Sequence, residues 1–311
     1  MKYRQRTIAS LDLGTNTLLL MVSERSSDGT LKVIEDRHEV VRLGQGLEES
    51  GIINDQAIER TLAALIGMKE VWEKYACDSV YLCATAALRE AKNAEEVRKK
   101  ISDTIGIETE ILAKNEEVRL TYRSVLADLD HEDPSMVVDI GGGSTEIAWG
   151  LGSRFDGGRS LSFGTVKLLE SFMKNNDLEG ARAHIESKLE RIPPLPPLQH
   201  YYGTAGSYTQ LAALIYELEP YSAQTVDMKV IKKETLETWI QKLSTLSLDE
   251  IQNLPGVNPK RADVLLSGAL IVETLMRRFG LQEFVVRDRG IRFGKTFDVL
   301  KGFVSPIEFR G

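Results

Sequence analysis

The chain reads as an α/β protein built from two related halves, and two observations predict this. A short phrase occurs twice: Asp12-Leu13-Gly14-Thr15-Asn16-Thr17 and Asp139-Ile140-Gly141-Gly142-Gly143-Ser144-Thr145. Each copy follows an apolar run and puts an aspartate, an aliphatic residue and glycine before small hydroxyl or amide residues. The second observation is that the succession of strand and helix patterns restarts after the polar break His131-Glu132-Asp133-Pro134. A length of 311 residues also suits two domains.

The first half opens with three strand patterns, Thr7–Leu13, Leu18–Ser23 and Leu31–Leu43, the last two joined through the turn signal Asp28-Gly29. A glycine-rich corner follows at Gly44, Gly46 and Gly51. Asn54 reads as an N-cap for a helix with Ile58, Leu62, Leu65 and Trp72 at helical spacing. Ser79–Cys83 and Ile107–Leu112 read as strands. Ala84–Ala91 and Ala94–Ile105 read as helices, with Asn93 as a cap, and Asn115 caps a further helix, Glu116–Leu129. In the second half, strands are predicted at Met136–Ile140, Thr145–Gly150, Arg159–Phe163, His200–Gly203 and Phe284–Arg287. Helices are predicted at Thr165–Lys174, Asp177–Arg191, Gly206–Glu217 and Ala262–Arg278, with a stiff proline linker at 193–197. The predicted domains are 1–130 and 131–311, the second with helical insertions and a last helix that could return to pack on the first.

A composition of 42% hydrophobic and 27% charged residues is that of an ordinary soluble protein. No apolar run approaches the roughly 18 residues of a membrane helix. The basic start, Met1–Arg6, precedes an apolar stretch that Asp12 interrupts too soon for a signal peptide, so a cytoplasmic location is expected. A net charge of −7 argues against a nucleic-acid scaffold, though a local basic cleft can sit on an acidic protein. Cys77 and Cys83 lack a partner pair or metal spacing and read as free thiols. The four histidines are scattered, and nothing in their spacing resembles a zinc site.

Glycine lets a backbone approach a ligand closely, and successive N–H groups form an anion-binding concavity. The Gly141–Thr145 loop is therefore either a phosphate cradle or a tight hairpin turn, and its pairing with the Asp12 loop favours phosphate. Asp139 and Glu146 flank that loop across a hairpin. Their carboxylates either share Mg²⁺ or serve the turn and the solvent. Glu116 and Glu117 stand in a first helical turn, where acids ordinarily answer the helix dipole. Arg89 could bind phosphate in bidentate fashion or be an ordinary helix residue. Gly203-Thr204-Ala205-Gly206-Ser207 lies between a strand and a helix and could present N–H groups to an anion. The basic run Arg287, Asp288, Arg289, Gly290, Ile291, Arg292 reads as a solvated face or as the lining of a cleft.

Taken together these residues resemble the Ppx/GppA phosphatase family of exopolyphosphatases and guanosine pentaphosphate phosphohydrolases. Asp12–Thr17 is similar to its first phosphate loop, and Arg42-Leu43-Gly44-Gln45-Gly46-Leu47 to its Arg-Leu-Gly-x-Gly-Leu stretch. Ala84–Ala91 with Asn93, Glu116-Glu117-Val118-Arg119-Leu120 and Asp139–Glu146 match three further motifs, and Pro255–Asp263 resembles a later one. The chain departs from the pattern at Gly206-Ser207, Val226–Met228 and Gly290–Gly294. The resemblance implies two ribonuclease-H-like domains of the acetate-kinase/actin-like ATPase superfamily with a cleft between them. It implies Glu117 as the base that activates water, and Asp139 and Glu146 as holders of Mg²⁺ or Mn²⁺. By the same resemblance, Asp12, Gly14, Thr15, Asn16, Thr17, Arg89, Gly141, Gly142, Gly143, Ser144 and Thr145 bind phosphate, with Gly203, Gly206 and Ser207 in the second-domain wall. The implied substrate is inorganic polyphosphate or guanosine pentaphosphate, and the family favours a homodimer. A long polyanion would also call for a basic path, with Arg42, Lys260, Arg261, Arg289 and Arg292 as candidates. An actin-fold small-molecule kinase and a non-enzymatic nucleotide-binding protein share the glycine loops; the Glu116-Glu117 motif disfavours both.

Overall fold

Strand β1 (Arg6–Leu13) is buried on both faces, as a central strand covered by helices must be. In the computed structural model, which describes residues 6–29, 31–300 and 307–309, its two faces feed different cores. Ala9, Leu11 and Leu13 join one cluster with Ile58, Leu65 and Val97 of the helices Asp55–Lys74 and Ala94–Ile105. Ile8 points the other way, toward Phe293 and Phe297 of the helix Ile291–Val299. By the period of two along a strand, Ser10 and Asp12 share the Ile8 face.

Beside β1 lie β2 (Thr17–Arg25), β3 (Leu31–Val40), β4 (Ser79–Ala84) and β5 (Thr109–Ile111). A second sheet uses β6 (Pro134–Ile140), β7 (Thr145–Leu151), β8 (Arg154–Leu161), β9 (His200–Thr204), β10 (Val230–Lys232) and β11 (Glu283–Val286), and β12 (Ile307–Phe309) returns to the first. The orders are β12-β3-β2-β1-β4-β5 and β10-β11-β9-β6-β7-β8. The runs β3-β2-β1-β4-β5 and β8-β7-β6-β9-β11 correspond strand for strand. In each, an antiparallel three-strand meander comes first and parallel neighbours follow on its far side. The fold class is thus α/β with two related sheets, as the repeat predicts, in the ribonuclease-H-like order that the family resemblance implies.

One compact unit takes the chain up to Leu129 and again from Gly290; the other is Asp130–Arg289. The last segment joins the first unit because Phe293, Phe297 and Leu300 complete the cluster around Ile8, Met21, Leu31 and Val33. A continuous domain over 131–311 is therefore not what the packing forms.

Several elements differ from their sequence patterns for local reasons. The strand expected to reach Leu43 stops at Val40, because the N–H groups of Val41 and Arg42 both turn to the Asn16 carbonyl. The strand expected at Arg159–Phe163 is Arg154–Leu161; Gly157 sits bare against the Trp149 ring, so its glycine allows contact rather than breaking the strand. Asn54 caps its helix by accepting from Ala57 N–H, whereas Asn93 spends both amide atoms clamping the Ile53 backbone. The helix expected to start after Asn115 runs Lys114–Leu126. The helices Lys233–Leu243 and Ile291–Val299 and strand β10 lie outside the elements that the sequence patterns predict.

The helix Ile291–Val299 crosses Lys114–Leu126 at Gly294, where a Cβ would come within 2.4 Å of the Leu120 carbonyl oxygen. Alanine gains about 1 kcal/mol of helix propensity over glycine, but overpacking against backbone costs about 1–3 kcal/mol. Gly294→Ala is therefore expected to lower the urea midpoint. A variant as stable as the parent would show that the two helices can part at no cost.

Candidate active site

The first unit builds its site at the carboxyl end of β1. Gly14 N–H donates to Thr17 O at 2.9 Å, closing the hairpin loop, while the Thr15 and Asn16 carbonyls accept from Gly44 and from Val41 and Arg42. This turns the loop carbonyls inward. Among the described residues, the Thr15 and Asn16 N–H groups take no part in these backbone bonds. Gly44 is obligatory here: a Cβ would lie 2.2 Å from Thr15 Cγ2. Thr15 itself is buried.

Beside this loop stands a buried ion pair. The helix Lys114–Leu126 starts past the carboxyl end of β5, so its first turn lies at the same end of the sheet as the loop. Glu116 stays at the surface and pairs with Arg119, as the helix-end reading expects. Glu117 turns inward and is only 3% exposed. Its Oε2 accepts from Arg89 Nη1 at 2.6 Å, and the same Nη1 donates to the Leu112 carbonyl at 3.0 Å. Arg89 Nε and Nη2 are buried and have no hydrogen-bond partner. A guanidinium fixed on one side and open on the other is a socket for an anionic oxygen. Burial pushes the Glu117 carboxyl above its usual range, against the opposing pull of Arg89.

Asp12 belongs to the same cluster. It is half-buried, its Oδ1 is shut off from solvent with no hydrogen-bond partner among the described residues, and its pKa rises to about 7. The chief cause is burial and the second is the negative charge of Glu117; Arg292 pulls the other way. Arg292 is 1% exposed and pairs with Asp36 at 2.8 Å. It is neither part of a solvated face nor of an open basic path.

The second unit repeats the turn. Gly141 N–H donates to Ser144 O at 3.0 Å, and the Gly141 and Gly142 carbonyls accept from the N-terminal N–H groups of the helix Thr165–Ser171. Gly164 permits this, since a Cβ there would meet the Gly141 and Gly142 backbone at 2.6 Å. It plays the part of Gly44, a role with no motif of its own to announce it. The Gly142 and Gly143 N–H groups remain outside these bonds, with Ser144 buried beside them.

Asp139 and Glu146 are direct cross-strand partners on β6 and β7, so both carboxylates lie on one face. Thr204 on β9 pairs with Asp139 on the other side, and Ser160 on β8 pairs with Glu146. Ser160 Oγ donates to Glu146 Oε1 at 2.7 Å, and Glu146 is 2% exposed. Like charges directly opposite destabilise a strand pair, and Thr204 Oγ1 is fully buried with no hydrogen-bond partner. Hard oxygen donors in this arrangement fit a divalent cation such as Mg²⁺ or Mn²⁺. Thr204 had no separate signal in the sequence; its register beside Asp139 singles it out.

The remaining predicted positions do other work. Thr145 Oγ1 donates to the Phe163 carbonyl, and Ser207 Oγ to that of Ile140. Gly203 leaves room for the Tyr208 ring, and Gly206 for the Arg261 guanidinium, whose Nη1 would lie 1.5 Å from a Cβ. Arg287 and Arg289 are buried and turned to Asp227, which also accepts from Asp288 N–H. Cys77 and Cys83 are free thiols, and burial pushes Cys83 up to about 12, leaving it inert. Among the described residues no helix is long and apolar enough to cross a membrane.

Known proteins resemble the chain over most of its length. Residues 21–303 match the model of the Ppx/GppA phosphatase family. Exopolyphosphatase 2 of Mycobacterium tuberculosis is 29% identical, over 92% of this chain and 96% of that protein. A bifunctional 3-dehydroquinate synthase/phosphatase of Fusobacterium nucleatum is 27% identical over 96% of this chain, which spans about half of that protein, 47%. The crystal structure of the Aquifex aeolicus Ppx/GppA family member superposes with a TM-score of 0.81 at 30% identity, covering 97% of this chain and all of that one.

Between about pH 4 and pH 7 the folded chain keeps on Asp12 a proton that the unfolded chain releases. Stability therefore falls as pH rises through that window, by at most about 1.4 kcal/mol per unit. Asp12→Asn carries no such charge and should gain more over the parent at pH 8 than at pH 5 in urea unfolding. An equal gap at both values would remove Asp12 as the source.

Proposed function

The chain belongs to the Ppx/GppA phosphatase family, and we propose that it acts as an exopolyphosphatase. In this reading it hydrolyses the terminal phosphoanhydride of inorganic polyphosphate and releases orthophosphate. The observation that carries the proposal is the buried Glu117–Arg89 pair, a basic carboxylate and an open phosphate-binding guanidinium on one contact.

Glu117 orients a water molecule and accepts its proton as the oxygen attacks the terminal phosphorus. Its raised pKa brings its basicity nearer the operating pH than that of an exposed carboxylate. Arg89 Nε and Nη2 hold oxygens of the phosphoryl group, placing phosphorus next to the base rather than leaving the encounter to chance. In the first unit the Thr15 and Asn16 N–H groups bind further phosphate oxygens, and in the second the Gly142 and Gly143 N–H groups offer an equivalent phosphate-binding turn. Donors fixed by the fold need no reorganisation as charge develops, and this is the larger part of the expected rate gain. With its pKa raised to about 7, Asp12 carries less negative charge against an incoming polyanion near neutrality than an exposed carboxylate would. Asp139 and Glu146 would hold Mg²⁺ or Mn²⁺, with Thr204 beside them, and the bound ion would neutralise charge on the phosphate chain.

Glu117→Gln should lower phosphate release from long-chain polyphosphate by about 10²–10⁴, with the circular dichroism spectrum and Mn²⁺ binding unchanged. Release at the parent rate would sink the base assignment. Guanosine pentaphosphate, which ends in the same anhydride, is the control substrate: faster release from it than from polyphosphate would assign the chain to the other activity of its family. Glu146→Gln should weaken Mn²⁺ binding, followed by electron paramagnetic resonance, and leave the fold intact.

A further inference from the structure

At the opposite end of β6 from Asp139, the structure brings together three metal-ligating side chains that lie up to 69 residues apart in sequence. We propose that His131, Asp133 and His200 form a second metal site, for a first-row transition ion such as Zn²⁺. Asp133 precedes β6, and His200 opens β9 in register with Ser135. One potential ligand atom from each residue lies within 4.8 Å of the others. His200 Nε2 is 3.2 Å from Asp133 Oδ2, and the two imidazole rings are 4.5 Å apart between centroids.

The surroundings suit ligation in three respects. The segment is held in place: Gly152 N–H donates to the Asp133 carbonyl at 3.1 Å. Gly152 has φ +53°, and a Cβ on it would lie 2.2 Å from the His131 carbonyl oxygen, so the turn tolerates only glycine there. His131 Nε2 contacts the Tyr202 hydroxyl at 3.1 Å. Asp133 N–H donates to His131 Nδ1 at 3.3 Å, so Nδ1 carries the lone pair and Nε2 the proton, and an ion at Nδ1 would displace this long bond. All three side chains are half-buried, which gives an ion a route in.

Two imidazoles and one carboxylate select a borderline transition ion over Mg²⁺, and three protein ligands leave a position for water. Asp133 and Asp139 are six residues apart along an extended strand, about 20 Å. The site is therefore separate from the Asp139–Glu146 pair.

The test uses the full chain, freed of any affinity tag and stripped of metal, in saturating Mg²⁺. Zn²⁺ is titrated by calorimetry, and Co²⁺ by its visible ligand-field bands. One equivalent of Zn²⁺ is expected to bind. His131→Ala and His200→Ala should weaken it at least tenfold and abolish the Co²⁺ bands, while His184→Ala and Asp139→Asn leave both unchanged. The conservative His200→Gln keeps the ring's polar contact and should fail in the same way, with an unchanged melting curve in the absence of metal. No Zn²⁺ binding to the parent, or equal binding to the parent and to His131→Ala and His200→Ala, would overturn the proposal.

Discussion

A carboxylate taken out of water must find an opposite charge or keep its proton. The region around β1 solves this problem three ways. Glu117 lies against Arg89, Asp36 against Arg292, and Asp12, which has no such contact of its own, holds its proton. Removing one partner of a buried pair costs about 3–5 kcal/mol, so each arginine is bound to its place as firmly as a core aromatic. The positions of the helices follow from this. Lys114–Leu126 must bring Glu117 to Arg89, and Ile291–Val299 must bring Arg292 to Asp36. Asp298 on the second helix answers Arg119 and Arg123 on the first. The arrangement is demanding for stability and well suited to a highly charged ligand, since the field is set before the ligand arrives.

The two halves share a backbone device and differ in what they hang on it. Both hairpins close by the same glycine-to-carbonyl bond, and both turn their loop carbonyls toward a neighbouring segment that a bare glycine lets approach, Gly44 in one and Gly164 in the other. At corresponding register positions, Asp12 has Leu19 and Cys83 as neighbours, where Asp139 has Glu146 and Thr204. One copy is thus set among apolar neighbours that keep it protonated. The other is set among oxygens that ask for a cation. Side chains two or three bonds from an unchanged backbone have divided the labour between them.

The strand meanders, the glycine loops and the long helix Ala262–Phe279 were legible in the sequence because each is governed by local period and turn chemistry. Glu117 was not legible from its own neighbourhood. A first-turn glutamate beside a second one has the pattern of a helix-end charge, and only the family resemblance gave it a role. For Arg287, Arg289 and Arg292 the solvated-face reading does not hold, since tertiary carboxylates draw all three inside. The strand expected from Arg159 begins at Arg154 and takes Gly157 and Gly158 into its middle. The helix Lys233–Leu243 did carry a signal, Leu236, Ile240 and Leu243 at helical spacing, within a polar stretch that disguised it. His131 and His200 carried none, because β6 and β9 become neighbours only in the folded sheet.

The return of the chain from Arg289 to the first unit has a consequence for synthesis. The first unit is interrupted by the whole of the second, and Arg292 and the Phe293–Phe297 pair are translated only after it. Until they emerge, Asp36 has no arginine and Ile8, Met21 and Val33 have no cover. The Ile8 face of the first sheet therefore stays uncovered until then, while Asp130–Arg289 is continuous in sequence. What waits on translation of the second unit is the cover of the Ile8 face and the arginine partner of Asp36, whereas Arg89 and Glu117 both precede it.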